Sequence, residues 1–202
     1  MKINFAELNT IITFLGMLAA TVQGVTGFYA GYIKKRAVLL KTNSALSQAH
    51  STFGSMATIL YLLGLFAGVN GLIGALTVNQ PPLELQSPSF NIHTWGSFPV
   101  LAVWVWKTWL SYFNKRQLYA KRKWLGIAMF LAWSYNWITA AISYYVRTMP
   151  PNKQHPDPNF LFPYRLLGVQ LALPFALGGL IGWLVCRRAA QQELAAAAKR
   201  AK

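Results

Sequence analysis

Five stretches of this chain, residues 8–33, 50–77, 92–113, 124–146 and 160–186, contain no acidic residue and only two basic ones, Lys107 and Arg165. Each is long enough to cross roughly 30 Å of hydrocarbon as a helix of about 20 residues. Inside a bilayer a helix satisfies its own backbone hydrogen bonds, which an irregular segment does not. With 54% hydrophobic and 11% charged residues, the chain is too apolar in its long runs for an ordinary soluble domain. The expectation is an all-α integral membrane bundle of five transmembrane helices. The first run reads as a membrane helix and not as a signal peptide, because it is long and no small-residue cleavage site precedes a soluble domain.

The distribution of the net charge of +15 sets the expected topology. Lys34, Lys35, Arg36 and Lys41 lie between the first two runs, and Lys115, Arg116, Lys121, Arg122 and Lys123 form a basic turn between the third and fourth. With Lys107 and the tail residues Arg187, Arg188, Lys199, Arg200 and Lys202, one side holds 15 of the 19 basic residues. Basic residues concentrate on the cytoplasmic or stromal side. This places the amino terminus outside or in a lumen and the carboxyl terminus in the cytoplasm, in a bacterial inner or thylakoid membrane. Glu7, Glu84 and Asp157 fall on the opposite side, in agreement. The basic face is expected to meet anionic lipid headgroups. It does not read as a nucleic-acid site, because its clusters are short turns between membrane helices.

Small residues recur within the second run. His50, Gly54, Ala57, Gly64, Gly68, Gly71 and Ala75, with Tyr61 as the one large member, are spaced four and three apart. They share one helix face, where glycines admit a neighbouring helix or a flat cofactor, so His50 is expected to face the bundle and residues 50–76 to form its packing centre. The first run carries Gly16, Ala20, Gly24, Gly27 and Gly31 for tight packing, with Gln23 suited to an interhelical hydrogen bond or to a quinone or pigment. Prolines make the outer loops 78–91 and 148–159 irregular, and His155 lies in the second of them. Trp104, Trp106, Trp109 and Tyr112 around Lys107 read as an interfacial aromatic belt with a snorkelling lysine; the alternative is the lining of an electron path or pigment pocket. Cys186 is the single cysteine, so no internal disulfide or thiolate metal site is available, and it reads as an apolar thiol at a helix end.

The segments AHSTFG, NIHTWG and KRKWLG each open a membrane run, and each ends on a glycine: Gly54, Gly96 and Gly126. A histidine one turn from a glycine suits a transmembrane b-type haem, since imidazole ligates iron and the absent side chain makes room for the porphyrin edge. His50 and His93 are the candidate ligands. Successive helices run in opposite directions, so His50 lies near the inner surface and His93 near the outer, and the two do not share one iron. A partner for His50 would come from the start of the fourth helix, where the sequence offers Lys123 or Trp124. Two bis-histidine haems need four ligands, and the chain has three histidines.

The order AHSTFG, glycine-rich span, NIHTWG and basic turn resembles the four-helix core of the transmembrane cytochrome b superfamily that includes ascorbate-dependent and ferric-reductase-like proteins. More closely it resembles a cyanobacterial and plastid membrane protein family related to that core. The resemblance covers residues 8–147, implying a cytochrome-b-like unit at 1–147 followed by an outer proline-rich loop, fifth helix and basic tail at 148–202. It implies His50 and His93 as haem-binding positions beside Gly54 and Gly96, with Lys123 standing where a third histidine is expected.

Two functions follow as expectations. One is a haem b protein moving electrons between a quinone and a partner, with chlorophyll as the alternative occupant because one histidine suffices for a pigment magnesium. The other is a haem-free scaffold, assembly factor or accessory subunit of a larger photosynthetic or respiratory complex. A transporter is disfavoured, since no run contains the carboxylate that marks most ion pathways. Hydrolysis is unsupported for want of an acidic pair, metal cluster or nucleotide loop.

Overall fold

The computed structural model describes residues 5–34, 44–77, 88–150 and 157–200. Among them there are five long helices and no strand. Helix α1, Phe5–Phe28, is prolonged by a π turn, Tyr29–Ile33. Then come α2, Ala45–Thr77, α3, Pro88–Phe113, and α4, Lys115–Val146. A 3-10 turn, Tyr164–Leu166, leads into α5, Leu167–Arg200. Helices α1, α2, α4 and α5 are long and apolar enough to cross a membrane. Helix α3 is less apolar, because it carries Asn91, His93, Thr94 and four tryptophans, yet it has 26 residues. It lies antiparallel to α4, pairing Ile92 with Tyr135 near one end and Trp106 with Lys121 near the other. The two helices therefore traverse the same depth.

The packing centre is α1, which touches α2, α4 and α5. This corrects the expectation that residues 50–76 hold the middle. Met17, Ala19, Ala20, Thr21, Val22 and Thr26 are buried around the whole circumference of α1. On α2 only the face with Ala57 and Tyr61 is buried, while Ile59, Leu62, Leu63 and Phe66 are exposed on the outside of the bundle. The small-residue stripe of α2 does face α1 from His50 to Gly64, but Gly68 meets nothing within 4 Å. The threonines that make α1 polar on paper are self-contained. Thr10, Thr13, Thr21 and Thr26 each donate their hydroxyl hydrogen to a carbonyl one turn back, at 2.8 to 3.1 Å. Helix α5 runs parallel to α1 and approaches it closely: a side chain at Gly178 would meet the Leu18 carbonyl oxygen at 2.7 Å.

The connections also differ from expectation. The basic turn between the third and fourth helices is itself helical. Only Asn114 separates α3 from α4, and its side-chain oxygen accepts from the Gln117 N–H at 3.1 Å to cap α4. Helix α3 begins at Pro88, inside the segment read as irregular, because proline suits a first helical position, where no backbone N–H is required. Residues 160–163 stay outside α5, since the residue before a proline is pushed out of the helical region. They are held by Glu7, whose Oε1 accepts from the N–H groups of Phe160 at 2.7 Å and Leu161 at 3.1 Å. Lys35, Arg36, Lys41, Glu84 and His155 lie outside the described residues, as do the surroundings of Gly71 and Ala75.

Helix directions gather Lys34, the basic residues 115–123, and Arg187, Arg188 and Lys199 at one end of the bundle. There Lys34 Nζ lies 3.3 Å from Glu193 Oε2, tying the end of α1 to α5. Cys186 is buried nearby with Ala30, Leu46 and Ala189, as an apolar packing thiol.

Candidate functional site at the basic end

The last turns of α1 and α3, the first turns of α2 and the first half of α4 line a half-open cavity of about 900 Å³ at the basic end. Its wall includes Gln23, Gly24, Gly27, Tyr32, His50, Gly54, Lys107, Lys123, Phe130 and Trp133. This lies within the usual range for a ligand pocket of about 300–1,000 Å³. Three elements give it this shape. The glycines of α1 thin one wall, the α3–α4 hairpin supplies the cations, and Phe130 and Trp133 close it toward the membrane interior.

His50 stands in the second turn of α2, against α1. Its Nδ1 is 3.1 Å from the Thr26 hydroxyl. That hydroxyl has one hydrogen, which is directed at the carbonyls of Val22, 2.9 Å, and Gln23, 3.0 Å. His50 also hydrogen-bonds the Gln23 backbone, so its ring is held against α1 by two groups. A neutral imidazole with its proton on Nδ1 is the form in which histidine binds a metal through Nε2. Gly27 makes room for the ring, since a side chain there would meet His50 Cε1 at 3.0 Å. Gly54, one turn on, lies against the Gln23 carboxamide.

Lys123 lines the same cavity as His50, as its position in the sequence suggested. Its Nζ sits 4.7 Å over the Tyr32 ring. Trp124, the other residue offered by the start of α4, is 76% exposed and is not part of the wall. Trp106, Trp109 and Tyr112 are exposed in the manner of an interfacial belt. Lys107, expected to snorkel outward with them, is half-buried and lines the cavity instead. Trp104 also turns inward, stacking on Tyr61 at 5.6 Å, and Tyr61 meets Trp133 edge-on at 5.8 Å.

His93 lies at the opposite end, between α3 and α4. Its Nδ1 is 3.0 Å from the Thr139 hydroxyl, which donates to the Tyr135 carbonyl at 2.8 Å. Each imidazole is thus paired through Nδ1 with a threonine of a neighbouring helix. The glycine that follows His93 is used as Gly54 is: the space a side chain at Gly96 would take is filled by the Tyr135 phenol. The Tyr135 hydroxyl donates onward to the Ile92 carbonyl at 2.8 Å. Neither Gly54, whose space is filled by the Gln23 carboxamide, nor Gly96 leaves a slot for a porphyrin edge; the two histidines differ in that His50 lines the cavity and His93 does not.

Thr26 and the inward turn of Lys107 are the parts of the site that the linear pattern did not reveal. Thr26 acts on a residue 24 positions away, on an antiparallel neighbour, and no local motif marks that pairing. Among the described residues, no group of three or more His, Cys, Asp or Glu side chains converges on a metal position. In comparisons with known proteins, no family model, no curated protein and no solved structure matches the chain.

Proposed function

We propose that the cavity at the basic end holds a haem b through His50, and that the protein passes electrons across this end of the membrane between a quinone and a partner. The observation that carries the proposal is the His50–Thr26 pair: an imidazole on a cavity wall, held through Nδ1 at 3.1 Å by the threonine hydroxyl. The haem would supply a one-electron iron couple whose potential depends on ligand basicity and burial. The chain supplies the rest. Thr26 orients the ring, Gly24 and Gly27 keep the α1 wall thin, and Phe130 and Trp133 exclude water from the inner side. Tyr61 and Trp104 continue the aromatic contacts from Trp133 toward the middle of the bundle. The proposal places one group at His50 and none at His93. Chlorophyll remains compatible with a single histidine; Gln23, on the same wall, suits a quinone carbonyl.

The charge asymmetry supports a cytoplasmic or stromal basic end, in contact with anionic lipid, and an amino terminus outside or in the lumen of a bacterial inner or thylakoid membrane. A second reading, a haem-free scaffold, assembly factor or accessory subunit of a photosynthetic or respiratory complex, is favoured by one observation. Among the described residues, His50 is the one imidazole on the cavity wall.

The deciding experiment is a visible spectrum of the protein purified in mild detergent, oxidised and dithionite-reduced, beside His50→Ala and His93→Ala. A reduced b-type band that is lost in His50→Ala and kept in His93→Ala is the expected result. A stable, colourless protein that takes up no added haem overturns the haem reading and leaves the accessory-subunit reading.

A further inference from the structure

Lys107 is a cation on the wall of a cavity inside a membrane-spanning bundle, and within the described residues no acidic side chain is placed to neutralise it. The chain has four acidic residues. Glu193 is paired with Lys34 at 3.3 Å, Glu7 serves the backbone of Phe160 and Leu161 at the other end, Asp157 lies at that same far end, and Glu84 is outside the described residues. The Lys107 carbonyl accepts from the Ser111 hydroxyl at 2.9 Å, but its ammonium group has no hydrogen bond or ion pair among the described residues, whereas that of Lys123 lies over the Tyr32 ring. Arg122 adds a third positive group to the same wall.

Charges within membrane segments are retained where they pair with something or mark a binding path. The opposite part of the wall, at Phe130 and Trp133, is apolar. The cavity therefore has a cationic side and a hydrophobic side, complementary to an amphiphile that carries an acid group.

We infer that the occupant of this cavity bears at least one free carboxylate, that Lys107 is its counter-ion, and that Lys107 thereby sets which edge of the occupant faces the basic end. The inference rests on the proposed occupancy by a haem at His50 and discriminates among the groups considered for the site. A protohaem has two free carboxylates; a quinone has none, and chlorophyll carries its acid groups as esters. Lys107 is a positioning residue here, not a ligand to iron.

The test compares two probes that differ only in those acid groups. Wild-type protein and the Lys107→Met and Lys107→Arg variants, in nanodiscs of neutral lipid, are titrated with protohaem IX and with its dimethyl ester. Binding is read from the Soret band and from quenching of tryptophan fluorescence, Trp133 being part of the wall. Wild type is expected to bind the free acid about tenfold more tightly than the ester, the value of one charge-assisted hydrogen bond. Lys107→Met is expected to lose that preference while keeping its affinity for the ester, and Lys107→Arg to restore it. Equal affinity of wild type for acid and ester overturns the inference and leaves the haem at His50 standing. A preference that persists undiminished in Lys107→Met assigns the counter-ion elsewhere and also overturns it. Failure of both probes to bind defeats the haem reading together with the inference. If Lys107→Met does not fold, the wild-type comparison of acid with ester still decides whether a free carboxylate is recognised.

Discussion

The Nδ1 atom of His50 lies 3.1 Å from the hydroxyl oxygen of Thr26, which is also 2.9 Å and 3.0 Å from the carbonyls of Val22 and Gln23. One threonine thus ties the imidazole of α2 to the backbone of α1. Replacing it by the near-isosteric valine removes that tie with little change of shape. Thr26→Val is expected to fold, with a loss of about 1 kcal/mol in stability. It should weaken haem uptake by roughly 10–100-fold, the usual effect of losing the hydrogen-bond partner of a metal-bound histidine. Haem titration of the purified variant, with thermal unfolding in the same detergent, separates the two effects.

At the far end, Gly96 and Tyr135 occupy each other's space across the α3–α4 interface, and the Tyr135 hydroxyl is held by the Ile92 carbonyl at 2.8 Å. Gly96→Ala adds a methyl group where the phenol lies, so the helices must part or the ring must leave its hydrogen bond. Overpacking of this kind costs about 1–3 kcal/mol. Tyr135→Leu beside it should return part of that loss, a non-additive result expected of residues in contact. Thermal unfolding of the single and double variants measures it. A haem bound at His50 should be unaffected, since Gly96 lies at the opposite end of the bundle.

Glu7 is 2% exposed, and one of its oxygens accepts from two consecutive backbone N–H groups at Phe160 and Leu161. It secures the non-helical lead into α5, which Pro163 keeps out of the helix. Glu7→Ala leaves those donors without this acceptor and is expected to cost about 2–4 kcal/mol, given hydrogen bonds to a charged group worth about 1.5–3 kcal/mol each. Glu7→Gln retains an acceptor oxygen and should cost about half as much or less. Amide hydrogen exchange at residues 160–162 is the direct readout: faster in Glu7→Ala, nearly unchanged in Glu7→Gln.

Several features of the site were legible in the linear chain. His50 faces inward because its spacing to Gly54 and Ala57 places it on the stripe that meets α1, and its separation from His93 follows from helix direction alone. Lys123 reaches the His50 cavity because the first turns of α4 lie at the same end as the first turns of α2. Lys107 was misplaced for a physical reason. A lysine among tryptophans near a helix end has two favourable positions, outward to the headgroups or inward to a polar cavity, and residue type is the same for both. Gly96 was ambiguous in a similar way, since a missing side chain admits a porphyrin and a neighbouring tyrosine equally well.

The amino-acid sequence by itself determined that this chain forms long apolar helices, where the first four of them end, and that its positive charge collects at one end. Those properties follow from the length of uncharged runs and the alternation of helix direction. Only the tertiary structure decided that α1 and not α2 is the centre, that Thr26 holds His50, and that Lys107 closes a cavity with Lys123. In a bilayer the surrounding lipid is as apolar as a neighbouring helix. A hydrophobic face therefore does not announce whether it will meet protein or lipid, and the choice is made by close fit between particular side chains on helices far apart in the chain.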